Sequence, residues 1–121
     1  MIVYFSYPYA IADSSSQRHA VMQLQKHMGR FKRYNPNLTP VNALMSVYDN
    51  KEFSRTKMVC EDSAIFATAR LLLDASNMHV MIKGKGWEYD DIMKNECGYS
   101  LIHKKIPIIE EDPIDDTVQW D

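Results

Sequence analysis

The sequence predicts an α/β domain built on a mainly parallel sheet of four to five strands. Three observations point there. The runs Ile2-Val3-Tyr4-Phe5-Ser6-Tyr7 and Met78-His79-Val80-Met81-Ile82 are rich in β-branched and aromatic residues, as strands covered on both faces are. Segments with helical spacing lie between such runs. At 121 residues the chain is one domain, large enough for a real core but too short for two.

Taken in order, the first strand begins almost at the first residue and stops at Pro8. Asp13 and Ser14 to Ser16 offer N-caps, and Ala20, Val21, Leu24 and Met28 form one apolar helix face that ends at Gly29. A strand that feeds a capped helix is the first half of a βαβ unit. Two prolines and two asparagines between Tyr34 and Val41 allow a loop, or a short edge strand at most. Val41 to Tyr48 reads as a short helix, broken at Asp49 or Asn50. From Ser54 to Ser76 the spacing of Met58, Ala64, Ile65, Ala69, Leu72 and Leu73 marks a longer helix, interrupted near Cys60-Glu61-Asp62 and ended by Asn77. After the Met78 to Ile82 strand, Ile92, Met93, Tyr99 and Ile102 are helically spaced, and Ile106-Pro107-Ile108-Ile109 reads as a last short strand. Residues 1–110 are thus one domain, a small Rossmann-like or flavodoxin-like three-layer sandwich. Residues 111–121 form an acidic tail, with irregular backbone expected from Glu110 and with Trp120 as its one large group to bury.

Composition excludes several classes of function. A content of 45% hydrophobic and 25% charged residues is that of an ordinary soluble protein, and a net charge of -2 argues against a nucleic-acid polymer as partner. The basic cluster Lys26, His27, Arg30, Lys32 and Arg33 suits a solvated helix C-terminus. No apolar run approaches the roughly 18 residues of a membrane span, and the start lacks the n- and h-regions of a signal peptide, so a cytoplasmic protein without membrane contact is expected. Cys60 and Cys97 read as buried free thiols, and His19, His27, His79 and His103 share no metal spacing. Without a Gly-x-Gly-x-x-Gly after the first strand or a Walker lysine motif, no cofactor is expected.

Chemistry is expected in the stretch from Gly84 to Ser100. A strand, a glycine-containing loop and then a helix is the usual place for a small-molecule site, because ligands sit outside the carboxyl ends of parallel strands. Asp90 and Glu96 lie there, six positions apart. Six helical residues turn through about 600°, so the two share a face poorly if both are helical. With Asp90 still in the loop, both can point into one cleft.

These residues resemble a known family. Glu96-Cys97-Gly98-Tyr99-Ser100, with Asp90 before it, is similar to the Glu-x-Gly-Tyr-Ala segment of the nucleoside 2-deoxyribosyltransferases. Val3-Tyr4-Phe5-Ser6-Tyr7-Pro8-Tyr9 is similar to that superfamily's opening strand, with Arg18 and Ala20 where an Arg and an Ala often follow. Leu72-Leu73-Asp74-Ala75-Ser76-Asn77, then a strand, then Gly86-Trp87, is like a segment of its smaller relatives. The resemblance implies that Glu96 is a nucleophile that forms a glycosyl ester and that Asp90 meets the base. A second family Asp has no counterpart near Ala69, so its role is vacant or falls to Asp74 or Asp62. Tyr4, Tyr7 and Tyr9 are expected to stack on the base or to orient Glu96 through a phenol. Ser6 and Arg18 are expected on sugar or phosphate oxygens, with Gly86 and Trp87 also lining the site. Relatives that act on monophosphates carry Ser where Asp90 stands, and an anionic Asp90 favours nucleosides.

The chemistry fits these residue types. A carboxylate under the sugar can attack or stabilise an oxocarbenium-like centre, as the second carboxyl of retaining glycosidases does. A proton on Asp90, held there by burial and by its acidic neighbour, would help the base to leave while Glu96 stays ionised. The expected function is therefore N-glycosidic bond chemistry on nucleosides or nucleotides, by transfer or by hydrolysis. The alternative is a protein of the same fold that binds a nucleotide without catalysis, which Asn77, Ile92 and the missing Asp favour. A third reading is a protein-contact role for the acidic tail. Family sites are often completed by a neighbouring subunit, so at least a homodimer is expected. Light scattering should show it, and an active monomer would argue against a shared site.

Overall fold

The computed structural model describes residues 1–8, 14–46 and 62–114. Four strands form one parallel sheet in the order β2-β1-β3-β4, where β1 is Ile2–Ser6, β2 Thr39–Val41, β3 Met78–Ile82 and β4 Ile108–Glu111. Helix α1 (Ser14–Tyr34) joins β1 to β2, α2 (Asp62–Asp74) precedes β3, and α3 (Asp91–Gly98) follows it. A 3-10 turn at Trp87–Tyr89 leads into α3, and a π-helical segment, Tyr99–Lys104, leads out. This is the expected α/β sheet of the Rossmann or flavodoxin kind.

Alternation along the strands sorts the core into two faces. Phe5 meets Phe31 of α1 edge-on at 5.1 Å, so the odd positions of β1 look toward α1. Register pairs Tyr4 with His79 and Ser6 with Met81, which puts these four on the opposite face, toward α3. The α1 side is apolar, with Val3, Phe5, Val80 and Ile82 all fully buried. The α3 side is not: Tyr4, Ser6 and His79 are equally buried there.

Several boundaries differ from expectation. Helix α1 continues five residues past Gly29 to Tyr34, because Gly29 faces open space and Phe31 extends the apolar stripe. Glycine inside a helix costs only about 1 kcal/mol, less than that packing returns. The Lys32 ammonium then closes the turn by donating to the Leu38 carbonyl at 2.7 Å. Strand β2 lies at the sheet edge, as Pro40 requires. Residues 43–46 form a helical turn. Strand β4 starts at Ile108, two residues later than expected, although the Pro107 carbonyl just before it already accepts from the His79 N–H. Glu110 and Glu111, expected in an irregular tail, therefore lie in an edge strand, where charge discourages further pairing. Ile114 is buried and exchanges two hydrogen bonds with the Gln23 side chain. Ile102, expected on a buried face, is exposed because the π turn breaks the 3.6-residue phase. The expectations for Asp13, Met58, Cys60 and Trp120 concern positions outside the described residues, as do those for the Ser14 to Ser16 and Asp62 side chains. Among the described residues no helix is long and apolar enough to cross a membrane.

The chain passes from β1 to β2 on one side, then crosses over to β3 on the other. In a parallel sheet such a reversal marks the place where a ligand crevice forms, here at the carboxyl ends of β1 and β3. Its walls meet where the Tyr7 ring lies on Gly84: a Cβ at Gly84 would fall 2.6 Å from that ring. Gly84→Ala should therefore displace Tyr7 and cost roughly 1–3 kcal/mol, the usual range for overpacking. Urea denaturation should show the loss, and an unchanged midpoint would mean that the ring swings away freely.

Candidate functional site

The site is built from the polar face of the sheet upward. Tyr4, in the middle of β1, is fully buried, and its hydroxyl accepts from the Ala43 N–H at 3.3 Å. With that acceptor position filled, the phenol proton is directed elsewhere: it is donated to Glu96 Oε2. Glu96 projects from α3 toward the sheet and is only 4% exposed. Asp90 sits in extended backbone as the N-cap of α3, where its carboxylate accepts the Met93 N–H at 2.8 Å. Because Asp90 stands outside the helix, six residues of separation do not carry it to the far side, and its charge reaches Glu96.

Burial drives the Glu96 carboxyl up to about 8; the Tyr4 bond moderates the rise and the Asp90 charge adds to it. At neutral pH Glu96 therefore keeps its proton. This departs from the expected division of roles, in which Glu96 stays ionised. Desolvation decides the matter, since Glu96 is the carboxyl that the helix turns into the core.

Other expected residues divide into two groups. Ser6, Tyr7, Gly86 and Trp87 gather at the carboxyl ends of β1 and β3. Ser6 there faces the core and is bonded to His79. Tyr7 overlies Gly84, with its hydroxyl 3.4 Å from His19 Nε2 of α1. Gly86 adopts φ +84, a left-handed conformation that favours glycine, and caps the turn that carries the half-buried Trp87. Arg18 is exposed on α1 beside His19. Asp74 is not brought into the cluster: it ends α2 in solvent, where the Tyr99 hydroxyl donates to it at 2.5 Å. Tyr9 lies outside the described residues. A separate hollow of about 240 Å³ between α2 and the outer side of α3 is lined by Phe66, Arg70, Lys94, Tyr99 and His103, among others.

Sequence reasoning missed His79. Its Nε2 is 2.8 Å from Ser6 Oγ and its Nδ1 is 2.7 Å from Ser100 Oγ, all three residues being fully buried. Burial holds the imidazole down at about 4, so it is neutral, with one nitrogen donating and the other accepting. The available signal was a histidine two positions from Met81 and Met78's neighbour in an otherwise apolar strand, together with Ser100 four residues after Glu96. Among the described residues, no three His, Cys, Asp or Glu side chains converge on a metal position.

These groups set opposing pH dependences of stability. Buried His27 Nε2 finds no hydrogen-bond partner among the described residues, and its burial, with Arg30 nearby, holds it at about 4 as well. Folded values near 4 against an ordinary 6.5 mean that the unfolded chain binds more protons between them, so stability is lost as pH falls through that window. Glu96 has the opposite sign: a folded value of about 8 against an ordinary 4.5 means that stability is lost as pH rises toward 8. Each group contributes a slope of up to about 1.4 kcal/mol per pH unit. Two histidines outweigh one carboxyl below pH 6.5, and Glu96 alone acts from there to about 8, so urea denaturation should find maximal stability near pH 6.5. Glu96→Gln should flatten the alkaline side; a fall that persists in that variant would place its origin elsewhere. Comparisons of the chain with family models, with characterised proteins and with solved structures find no match.

Proposed function

We propose that the protein acts on the N-glycosidic bond of a nucleoside or nucleotide, by transfer or hydrolysis, with Glu96 as the nucleophile. The observation that carries this reading is the Tyr4 to Glu96 hydrogen bond beside the β1/β3 crevice, with Asp90 close enough to act on the same carboxyl. A carboxyl turned inward onto a phenol is unusual for a residue whose only task is solubility.

In this mechanism Glu96 first yields its proton to solvent; the carboxylate then attacks the anomeric carbon, and the bonding pair of the glycosidic bond leaves with the base, which takes up a proton from solvent. Asp90, at the mouth of α3, meets the base. The glycosyl ester is then resolved by a second base, which regenerates a nucleoside, or by water, which releases the sugar. Tyr4 keeps the carboxylate aligned in both steps. No cofactor is called for, and the working unit is at least a dimer in a cytoplasmic setting.

A second reading is a protein that binds a nucleotide without turnover. The proton held on Glu96 favours it, since a buried neutral acid donates a hydrogen bond but does not attack. Calorimetry with recovery of intact ligand distinguishes the two.

Incubation with deoxynucleosides and a second base, resolved by chromatography, should yield exchanged nucleoside or free base. No product from any nucleoside or monophosphate rejects the enzymatic reading. Glu96→Ala should abolish turnover, and Tyr4→Phe should lower kcat about 10- to 100-fold, the worth of a hydrogen bond to a charged group. Since only the ionised carboxyl attacks, kcat/KM should rise with pH to a half-maximum near 8. A profile that falls through that range would make Glu96 a proton donor instead.

A further inference from the structure

We infer that His79 is a positioning residue: by joining Ser6 of β1 to Ser100 after α3, it fixes the register in which Glu96 is presented to Tyr4. The inference rests on the reading of Glu96 as the reacting carboxyl, although the contact network is there whether or not turnover occurs.

The network ties three elements together. A neutral imidazole donates from one ring nitrogen and accepts at the other, so one of the Ser6 and Ser100 hydroxyls accepts from His79 and the other donates to it. Beside it, the Cys97 thiol of α3 donates to the Met81 thioether of β3 at 3.4 Å. Bulk solvent does not reach these hydroxyls, because Ser6, His79 and Ser100 have no exposed surface.

His79 touches both sides of the Tyr4 to Glu96 bond. Its ring stands perpendicular to the Tyr4 ring at 5.3 Å, next to it in register on the sheet. Through Ser100 it also holds the turn that lies four residues, one helical repeat, beyond Glu96. A displacement of about 1 Å at a reacting group can cost on the order of 100-fold in rate, so this register matters to the proposed chemistry.

The test is the ionisation of Glu96 in the full chain, followed by carbon NMR of its carboxyl across pH, with circular dichroism to establish folding. Ser100→Ala deletes one hydroxyl and leaves the imidazole with a free nitrogen. The loosened turn should admit water to Glu96, and since burial is the largest influence there, its midpoint should fall from about 8 by at least about one unit. Ser6→Ala, at the other end of the bridge, should do the same. A folded Ser100→Ala or Ser6→Ala protein whose Glu96 titrates as in the wild type overturns the inference, whereas mere structural weakening would lower the unfolding midpoint without moving that titration. Where nucleoside turnover is found, Ser100→Ala should lower kcat about tenfold and leave KM within about twofold. If the wild type turns over nothing, the proposed function fails and the carboxyl titration still decides the role of His79.

Discussion

A carboxyl group brought into the core of a parallel sheet governs this structure. Taking Glu96 out of water is costly, and the fold reduces that cost in two ways: it lets the group keep its proton and it gives it the Tyr4 hydroxyl. The consequence spreads across one whole face of the sheet. Where β1 and β3 turn only apolar groups toward α1, the α3 side carries a tyrosine, a histidine and two serines, each satisfied by a neighbour. A buried polar network of this kind specifies one arrangement, because any slip leaves several groups unpaired together. A one-residue slip of β1 against β3 would send Tyr4 and Ser6 to the α1 side and strand His79 and Glu96 without partners.

The ionisation states follow from the same geometry. Glu96 and His79 lie on one face of the sheet and move in opposite directions, the acid up and the base down, so both are neutral near pH 7. A neutral interior needs no counter-ion, and Asp90, the nearby acidic group, stays at the helix start where the Met93 N–H donates to its carboxyl oxygen. For the proposed chemistry the resting site is thus held one proton away from a nucleophile. Positive charge developing on a bound sugar would favour loss of that proton, since opposite charge at short range stabilises the carboxylate form.

What could be read from the sequence follows from which forces are local. Strands β1 and β3 were legible because near-continuous apolar runs of that length have few alternatives, and Pro40 confined β2 to an edge. Asp90 and Glu96 stood out through their spacing around a glycine-containing loop. The end of α1 was misjudged because Gly29 is a local signal that the Phe31 to Phe5 contact, made through the tertiary fold, overrides. Ile102 was misplaced because nothing in the spacing announces a π turn. His79 was invisible as a site residue for a related reason: its partners are 73 positions before it and 21 after it, and only the parallel register of β1 and β3 brings them together. The proton assignment failed because burial, the force that decides it, belongs to the folded chain alone.

The element that carries Glu96 shows why such distant anchors are needed. Helix α3 is eight residues long, well short of the roughly 12 to 15 at which an isolated helix becomes even marginal in water. Its position is therefore not its own. At its start Asp90 caps it, and in its first turn Ile92 and Met93 are buried in the core. At its end the Tyr99 N–H is shared between the Asn95 and Glu96 carbonyls, and the backbone beyond it then widens into π-helical turns. That widened end has less cohesion than an α-helical one. It closes at Lys105, which takes a left-handed φ of 53 without being glycine. A short helix with a loosened, strained exit would wander unless something beyond it were tied to the sheet, and Ser100 is the buried side chain of that exit. The bond it makes to His79 thus converts a weak local structure into a fixed placement for the carboxyl four residues earlier.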